Sequence, residues 1–124
     1  MSMIRGLRGA TTASSNTKLA IFEATKELLE TLVKENKIGV DMIASATFTV
    51  TGDLDAAFPA TVARIELGWK DVALMDLRQM TVPGDVPMCI RVLVLFNTDD
   101  APSELRRVYL RGAKNLRDRN GETT

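Results

Sequence analysis

The 124 residues are 45% apolar and 26% charged, ordinary for a soluble globular chain, and the length points to one domain with limited interior, in which a deep pocket calls for a second subunit. Sixteen basic and sixteen acidic residues balance, so no electrostatic footprint points to nucleic acid or a membrane surface. Histidine is absent and Cys89 is the only cysteine, which excludes Ser–His and Cys–His nucleophiles, histidine zinc sites, thiolate clusters and internal disulfides.

Met3 to Thr12 reads as a strand, its alternation setting Ile4, Gly6, Arg8 and Ala10 on one face and Arg5, Leu7, Gly9 and Thr11 on the other. Glycines inside a strand predict a bulge or a close approach by another chain segment or a ligand. A helix follows, with Asn16 as its expected N-cap and Ile21, Ala24, Leu28, Leu29, Leu32 and Val33 as one apolar stripe, leaving at Gly39. Met42 to Thr51 is rich in β-branched residues and predicts a second strand. Ala56 to Leu67 predicts a second helix with Pro59 in its first turn and Gly68 at its end. Trp69 leads to a short strand at Val72–Met75, and Pro83-Gly84-Asp85 makes a turn. The run from Met88 to Phe96 reads as a strand buried on both faces. Ser103 is expected to cap a short helix through Val108, and beyond Leu110 the pattern fades into a tail expected to be mobile from about 111. Strands alternate with helices, so the fold class is α/β (α+β), a mixed β-sheet with helices packed on it in a single domain over 1–124. No apolar stretch is long enough for a bilayer, no signal-peptide pattern opens the chain, and a lone cysteine fits the cytoplasm.

Arg91 is the anomaly in this pattern. A guanidinium cannot shed its proton, so within an apolar strand it needs an acidic side chain, backbone carbonyls or an anionic ligand to meet it. Arg8 among its glycines and Arg64 on the second helix are the other candidates for an anion pocket, against the plain reading of solvated or salt-bridged surface residues. Tyr109 has a hydroxyl able to donate to a carboxylate, Phe58 could floor an apolar pocket, and Asp76 could answer an arginine or merely end its strand. Arg5-Gly6-Leu7-Arg8-Gly9-Ala10-Thr11-Thr12 lacks the glycine spacing and lysine of a phosphate loop. An enzyme built from these residues works by positioning and fixed charge.

The decapeptide Met3-Ile4-Arg5-Gly6-Leu7-Arg8-Gly9-Ala10-Thr11-Thr12 resembles the N-terminal motif of the monofunctional chorismate mutases of the AroH class. Ala57-Phe58-Pro59-Ala60 with Arg64 and Gly68-Trp69, then Cys89-Ile90-Arg91-Val92, then Arg107-Val108-Tyr109-Leu110 match in order and spacing, so the likeness spans Met3 to Arg117. It implies a pseudo-barrel formed as a homotrimer, with active sites between subunits. It also implies cofactor-free rearrangement of chorismate to prephenate in phenylalanine and tyrosine biosynthesis. By the same resemblance Arg91 is the cation at the breaking ether bond and Arg8 and Tyr109 grip a carboxylate. Arg64 adds positive field, Phe58, Leu74, Met75 and Leu116 shape an apolar wall, and Arg117 steers the anion inward.

One departure matters. Family members usually carry a glutamate where Gln79 stands, bonding the substrate's ring hydroxyl and balancing the arginines. Asp76, three residues earlier, is the expected replacement carboxylate, and a bend or bulge between the two must bring them to one face. A non-catalytic trimeric protein binding small anions, or an imine deaminase of the RidA type on a similar scaffold, are the competing expectations.

Overall fold

A computed structural model describes residues 2–116. Its elements are β1 (Met3–Thr12), α1 (Lys18–Asn36), β2 (Ile43–Val50), α2 (Pro59–Glu66), β3 (Ala73–Arg78), β4 (Cys89–Thr98) and β5 (Val108–Tyr109). Short 3-10 turns occupy Val40–Met42, Pro102–Glu104 and Arg111–Ala113. The five strands form one mixed sheet in the order β3-β2-β4-β1-β5: β4 runs antiparallel to both β1 and β2, while β3 and β5 pair parallel to β2 and β1.

Pairing register divides the sheet into two unlike faces. Leu7, Phe48, Val92, Val94 and Phe96 point to one side and pack under Leu28, Leu29 and Leu32 of α1, with Trp69 closing the same core. The other side carries Ile4, Arg8, Ala10, Thr49, Met75, Leu77, Arg91 and Leu93; neither α1 nor α2 covers it, and only its Ala10 corner is closed, by Ala113 and Leu116. Ile4, Met75, Leu77 and Leu93 are 54%, 57%, 46% and 39% exposed there. β4 is therefore buried on one face only within this chain, not on both. Its apolar run looks two-sided because Leu93 and Leu95 put aliphatic groups on the open face as well.

The helices follow from local chemistry. Thr17, not Asn16, caps α1, its hydroxyl accepting from Ala20 N at 3.1 Å. Asn16 instead ties down the loop before α2, accepting from the amides of Asp55 and Ala56 and donating to the Asp55 carboxylate. Lys37, not Gly39, takes the left-handed conformation that ends α1. Pro59 occupies the first turn of α2 and Gly68, at φ 75°, releases the chain after it.

One further expectation gives way. No helix runs from Ser103 to Val108. Pro102–Glu104 makes one 3-10 turn, and Asn36 then bonds both backbone groups of Arg106, accepting from its amide at 2.7 Å and donating to its carbonyl at 2.9 Å. That grip holds the segment extended, so that Val108 and Tyr109 pair with Gly9 and Ala10. The stretch 111–116, expected to open the tail, contains a 3-10 turn with Ala113 and Leu116 buried.

β1 is unbroken by any bulge, and its glycine serves a close approach within the chain itself. A Cβ on Gly9 would sit 3.0 Å from the Val108 carbonyl oxygen and 3.1 Å from methyls of Leu28 and Leu32. The backbone at Val108 cannot retreat without losing β5, so Gly9→Ala is expected to lower stability by about 1–3 kcal/mol. Urea unfolding of the two proteins checks this, a shift in midpoint at constant slope being the expected form.

Candidate active site

Arg91 lies at the centre of the open face. Its row across the sheet runs Thr49 on β2, Arg91 on β4, Ala10 on β1 and Tyr109 on β5, and Arg8 points to the same side one step along β1. Three of the expected contact groups, Arg91, Arg8 and Tyr109, thus share one face of three adjacent strands. Ala10 is fully buried and, with Cys89, Ala113 and Leu116, floors the region beside Tyr109, so Leu116 belongs to this half as well. Burial raises the Cys89 thiol pKa, against the opposing pull of the Arg91 guanidinium beside it.

The partner of Arg91 is an acidic side chain. Its Nη2 donates to both carboxylate oxygens of Asp85, at 2.9 and 3.1 Å, and each side chain is only 19% exposed. The Arg91 Nε–H is buried without a hydrogen-bond partner among the described residues. A buried donor left so costs about 1–3 kcal/mol, which marks the spot as one where an acceptor belongs.

Asp85 sits on the loop between β3 and β4, and that loop is built to present it. Gly84 at φ 82° makes the turn, Asp85 N donates to the Val82 carbonyl, and Asp85 Oδ1 accepts from Val86 N at 2.8 Å. The returning chain is tied at Met88 N to Asp53 Oδ2 and at Cys89 N to Thr51 Oγ1, both at 2.9 Å. The Thr51 hydroxyl donates to Asp53, holding that carboxyl below its ordinary pKa. Gln79 opens the loop and accepts from the Thr49 hydroxyl at 2.7 Å, next to Arg91 in the row. Gln79 and Asp85, with Thr51, Asp53 and the loop between, line a cavity of about 320 Å³.

Asp76 is not part of this group. β3 pairs with β2 in regular register, so no bulge turns Asp76 toward the open face; it points with Phe48 to the helix side, opposite Arg91 and Leu77. Its carboxylate accepts from Ala60 N at 3.0 Å, in the first turn of α2. Removal from water is the largest influence on it and raises its pKa, the Ala60 bond opposing this. The bend expected between Asp76 and Gln79 is absent and Asp76 opens onto the cleft beside Phe58, while within one chain the carboxylate on Arg91 is that of Asp85. The signal in the sequence was the turn Pro83-Gly84-Asp85 placed directly before the arginine strand.

The remaining residues stand apart from Arg91. Phe58, 68% exposed, and Asp76 line a separate cleft of about 520 Å³ at the β3 edge, with Leu77 and Arg78. Arg64 is exposed on α2, Met75 is exposed on the open face of β3, and Leu74 leans against the core. Arg111 is engaged with Glu27 of α1 at 3.0 Å. Arg117 lies outside the described residues. Among the described residues no cluster of acidic or cysteine side chains could hold a metal ion, and no helix is long and apolar enough to cross a membrane.

The fold is a mixed α/β sheet with helices on one side, and on the other an arginine held by a carboxylate shares a face with a second arginine and a phenol, groups suited to an anion. The profile of the family described as Chorismate mutase type I matches residues 4–119. The chain is 47% identical to a chorismate mutase AroH of Thermus thermophilus over 116 residues, covering 93% of this chain and 94% of that one. It is 39% identical to a chorismate mutase AroH of Bacillus subtilis (strain 168) over 108 residues, covering 87% and 85%. A solved chorismate mutase from Clostridium thermocellum superposes with a TM-score of 0.86 at 46% identity, covering 89% of this chain and 97% of that one. The chain belongs to the type I chorismate mutase family.

Asp76→Asn keeps an oxygen for Ala60 N and removes the charge that burial disfavours. Because the folded-state pKa lies above the model value of 3.8, the native state holds its proton more tightly than the unfolded chain does. The wild-type contribution is thus fully present below that value and lost as pH rises through the folded pKa. The variant should gain in melting temperature relative to wild type between acidic and neutral pH; thermal scans at both pH values check the sign.

Proposed function

We propose that this protein converts chorismate to prephenate, at sites made of two halves contributed by neighbouring copies in a homotrimer. The observation that carries the reading is the convergence of Arg91, Arg8 and Tyr109 on the open face, in a chain that belongs to the type I chorismate mutase family. Phe58, Arg64 and Met75 lie toward the opposite edge of the same sheet, with β2 between β3 and Arg91's strand. That separation favours a site closed by a second copy. The uncovered apolar face with Ile4, Met75, Leu77 and Leu93 supports burial against other copies, which would bring the β3 edge of one to the β1–β5 edge of the next.

Chorismate is a dianion, and its rearrangement breaks an ether C–O bond while a C–C bond forms, in one step within one molecule. No proton or electron leaves, so the chemistry asks for no cofactor, metal or covalent intermediate. Negative charge gathers on the ether oxygen as the bond stretches, and a fixed cation beside it binds the transition state better than the ground state. Arg91, whose Nε–H has no hydrogen-bond partner among the described residues, is that cation. Arg8 and Tyr109 hold a carboxylate, and the amide of Gln79 accepts from the ring hydroxyl. From the other half, Arg64 adds positive field, and Phe58 and Met75 act with Leu116 of the first half to restrict the substrate to its compact conformer.

Magnitudes set the division of labour. Even the low end of enzymatic acceleration requires about 8 kcal/mol. A single preorganised donor to a developing oxyanion supplies about 2.7–4 kcal/mol. Conformer restriction by the other contacts must contribute the rest.

Mixing the purified protein with chorismate and following its ultraviolet absorbance tests the reading. The expected result is loss of chorismate with prephenate appearing; binding without turnover would favour a non-catalytic anion-binding protein. Arg91→Lys keeps the charge but not the Nε–H geometry, and should lower kcat by on the order of 10²–10³-fold. Sedimentation should return the mass of three copies.

A further inference from the structure

We propose that Asp85 is the positioning residue of Arg91. It holds the guanidinium through Nη2 and so aims the buried Nε–H at the atom the cation serves. What that atom is rests on the mutase reading above; the positioning itself rests on geometry alone.

A long side chain on an open sheet face has many rotamers, and each one it samples is time spent pointing its donors elsewhere. Here both oxygens of one carboxylate close on a single terminal nitrogen, at 2.9 and 3.1 Å. The carboxylate is itself fixed, because its Oδ1 also accepts from Val86 N at 2.8 Å. Behind it stand the Gly84 turn and the return anchored on Asp53 and Thr51. The restraint is thus a chain from strand end to loop to carboxylate to guanidinium. It holds Arg91 in a rotamer that leaves Nε–H buried and unpartnered among the described residues. An arginine free to choose would turn that donor to an acceptor or to water. Asp85 engages the end of the guanidinium and leaves the Nε position for an oxygen that gains negative charge.

A rival role makes the opposite prediction. If Asp85 merely occupied Arg91 as a stand-in anion, substrate would have to displace it, and removing it would tighten binding. Aiming a donor that matters in the transition state acts on kcat instead.

The experiment compares wild type, Asp85→Ala and Asp85→Asn as assembled proteins, measuring kcat and KM for chorismate and the arginine Nε–H signals by ¹H–¹⁵N NMR. Arg91→Lys assigns the Arg91 signal by its loss. Asp85→Ala should lower kcat by on the order of 10²-fold with a much smaller change in KM. Asp85→Asn, whose amide oxygen can keep the contact to Nη2, should recover most of that loss. The Arg91 Nε–H signal should exchange slowly in wild type and quickly in Asp85→Ala. Should Asp85→Ala fail to fold, Asp85→Ser takes its place. Unchanged kcat in the alanine variant, a fall in KM with kcat preserved, or an unaltered Nε–H signal would each overturn the proposal. If wild type does not turn over chorismate, the functional reading fails, and the Nε–H signal still decides whether Asp85 positions Arg91.

Discussion

A guanidinium that cannot be neutralised, planted mid-strand at Arg91, constrains everything around it. Its strand carries the central pairings of the sheet, antiparallel to β1 on one side and β2 on the other. The charge therefore cannot be moved to the periphery without dismantling the fold. The chain resolves this by turning Arg91 to the face its own helices leave open and bringing Asp85 back over it on the loop between β3 and β4. A sheltered pair of this kind gains little net stability over an apolar pair, because desolvation offsets most of the attraction. What it supplies is a fixed direction.

The same division of the sheet explains the distribution of the other groups. The helix-facing side spends its residues on the core: Phe48, Trp69, Val92 and Phe96 are almost wholly buried there, and Asp76 serves the first turn of α2. The open side holds the arginines, the phenol and exposed aliphatic residues together. Polar chemistry and uncovered apolar surface on one face are what a site completed by another copy requires, since a small domain has no interior to spare for a deep pocket.

Much of this was legible in the sequence. Alternation described β1, β-branched content located β2, the apolar run located β4 though not its open face, and the Ile21–Leu32 stripe located α1, whose pattern and burial agree. Arg91, Arg8 and Tyr109 were legible as a set through the motif likeness. What escaped depended on contacts distant in the chain. Asn36 reaches across 70 residues to hold Arg106 extended, so a segment with a plausible helix cap became β5. Thr17 outcompeted Asn16 as cap because Asn16 was needed by the loop at Asp55. Asp76 and Gln79 are three positions apart and so face opposite sides of a regular strand, and only a bulge could have joined them; the regular pairing of β3 with β2 supplies none. Asp85 was visible as a turn residue, yet its partner could be seen only once the loop's return path was known.

As proposed above, each active site joins the Arg91 face of one copy to the Phe58 edge of the next. The most direct measurement mixes two separately inactive proteins, Arg91→Ala and Phe58→Asp, under conditions in which subunits exchange, and follows chorismate turnover. Composite sites predict that activity returns on mixing, because some sites then pair an intact Arg91 face with an intact Phe58 edge. Mixed assemblies verified by mass that remain as inactive as either parent would contradict the account.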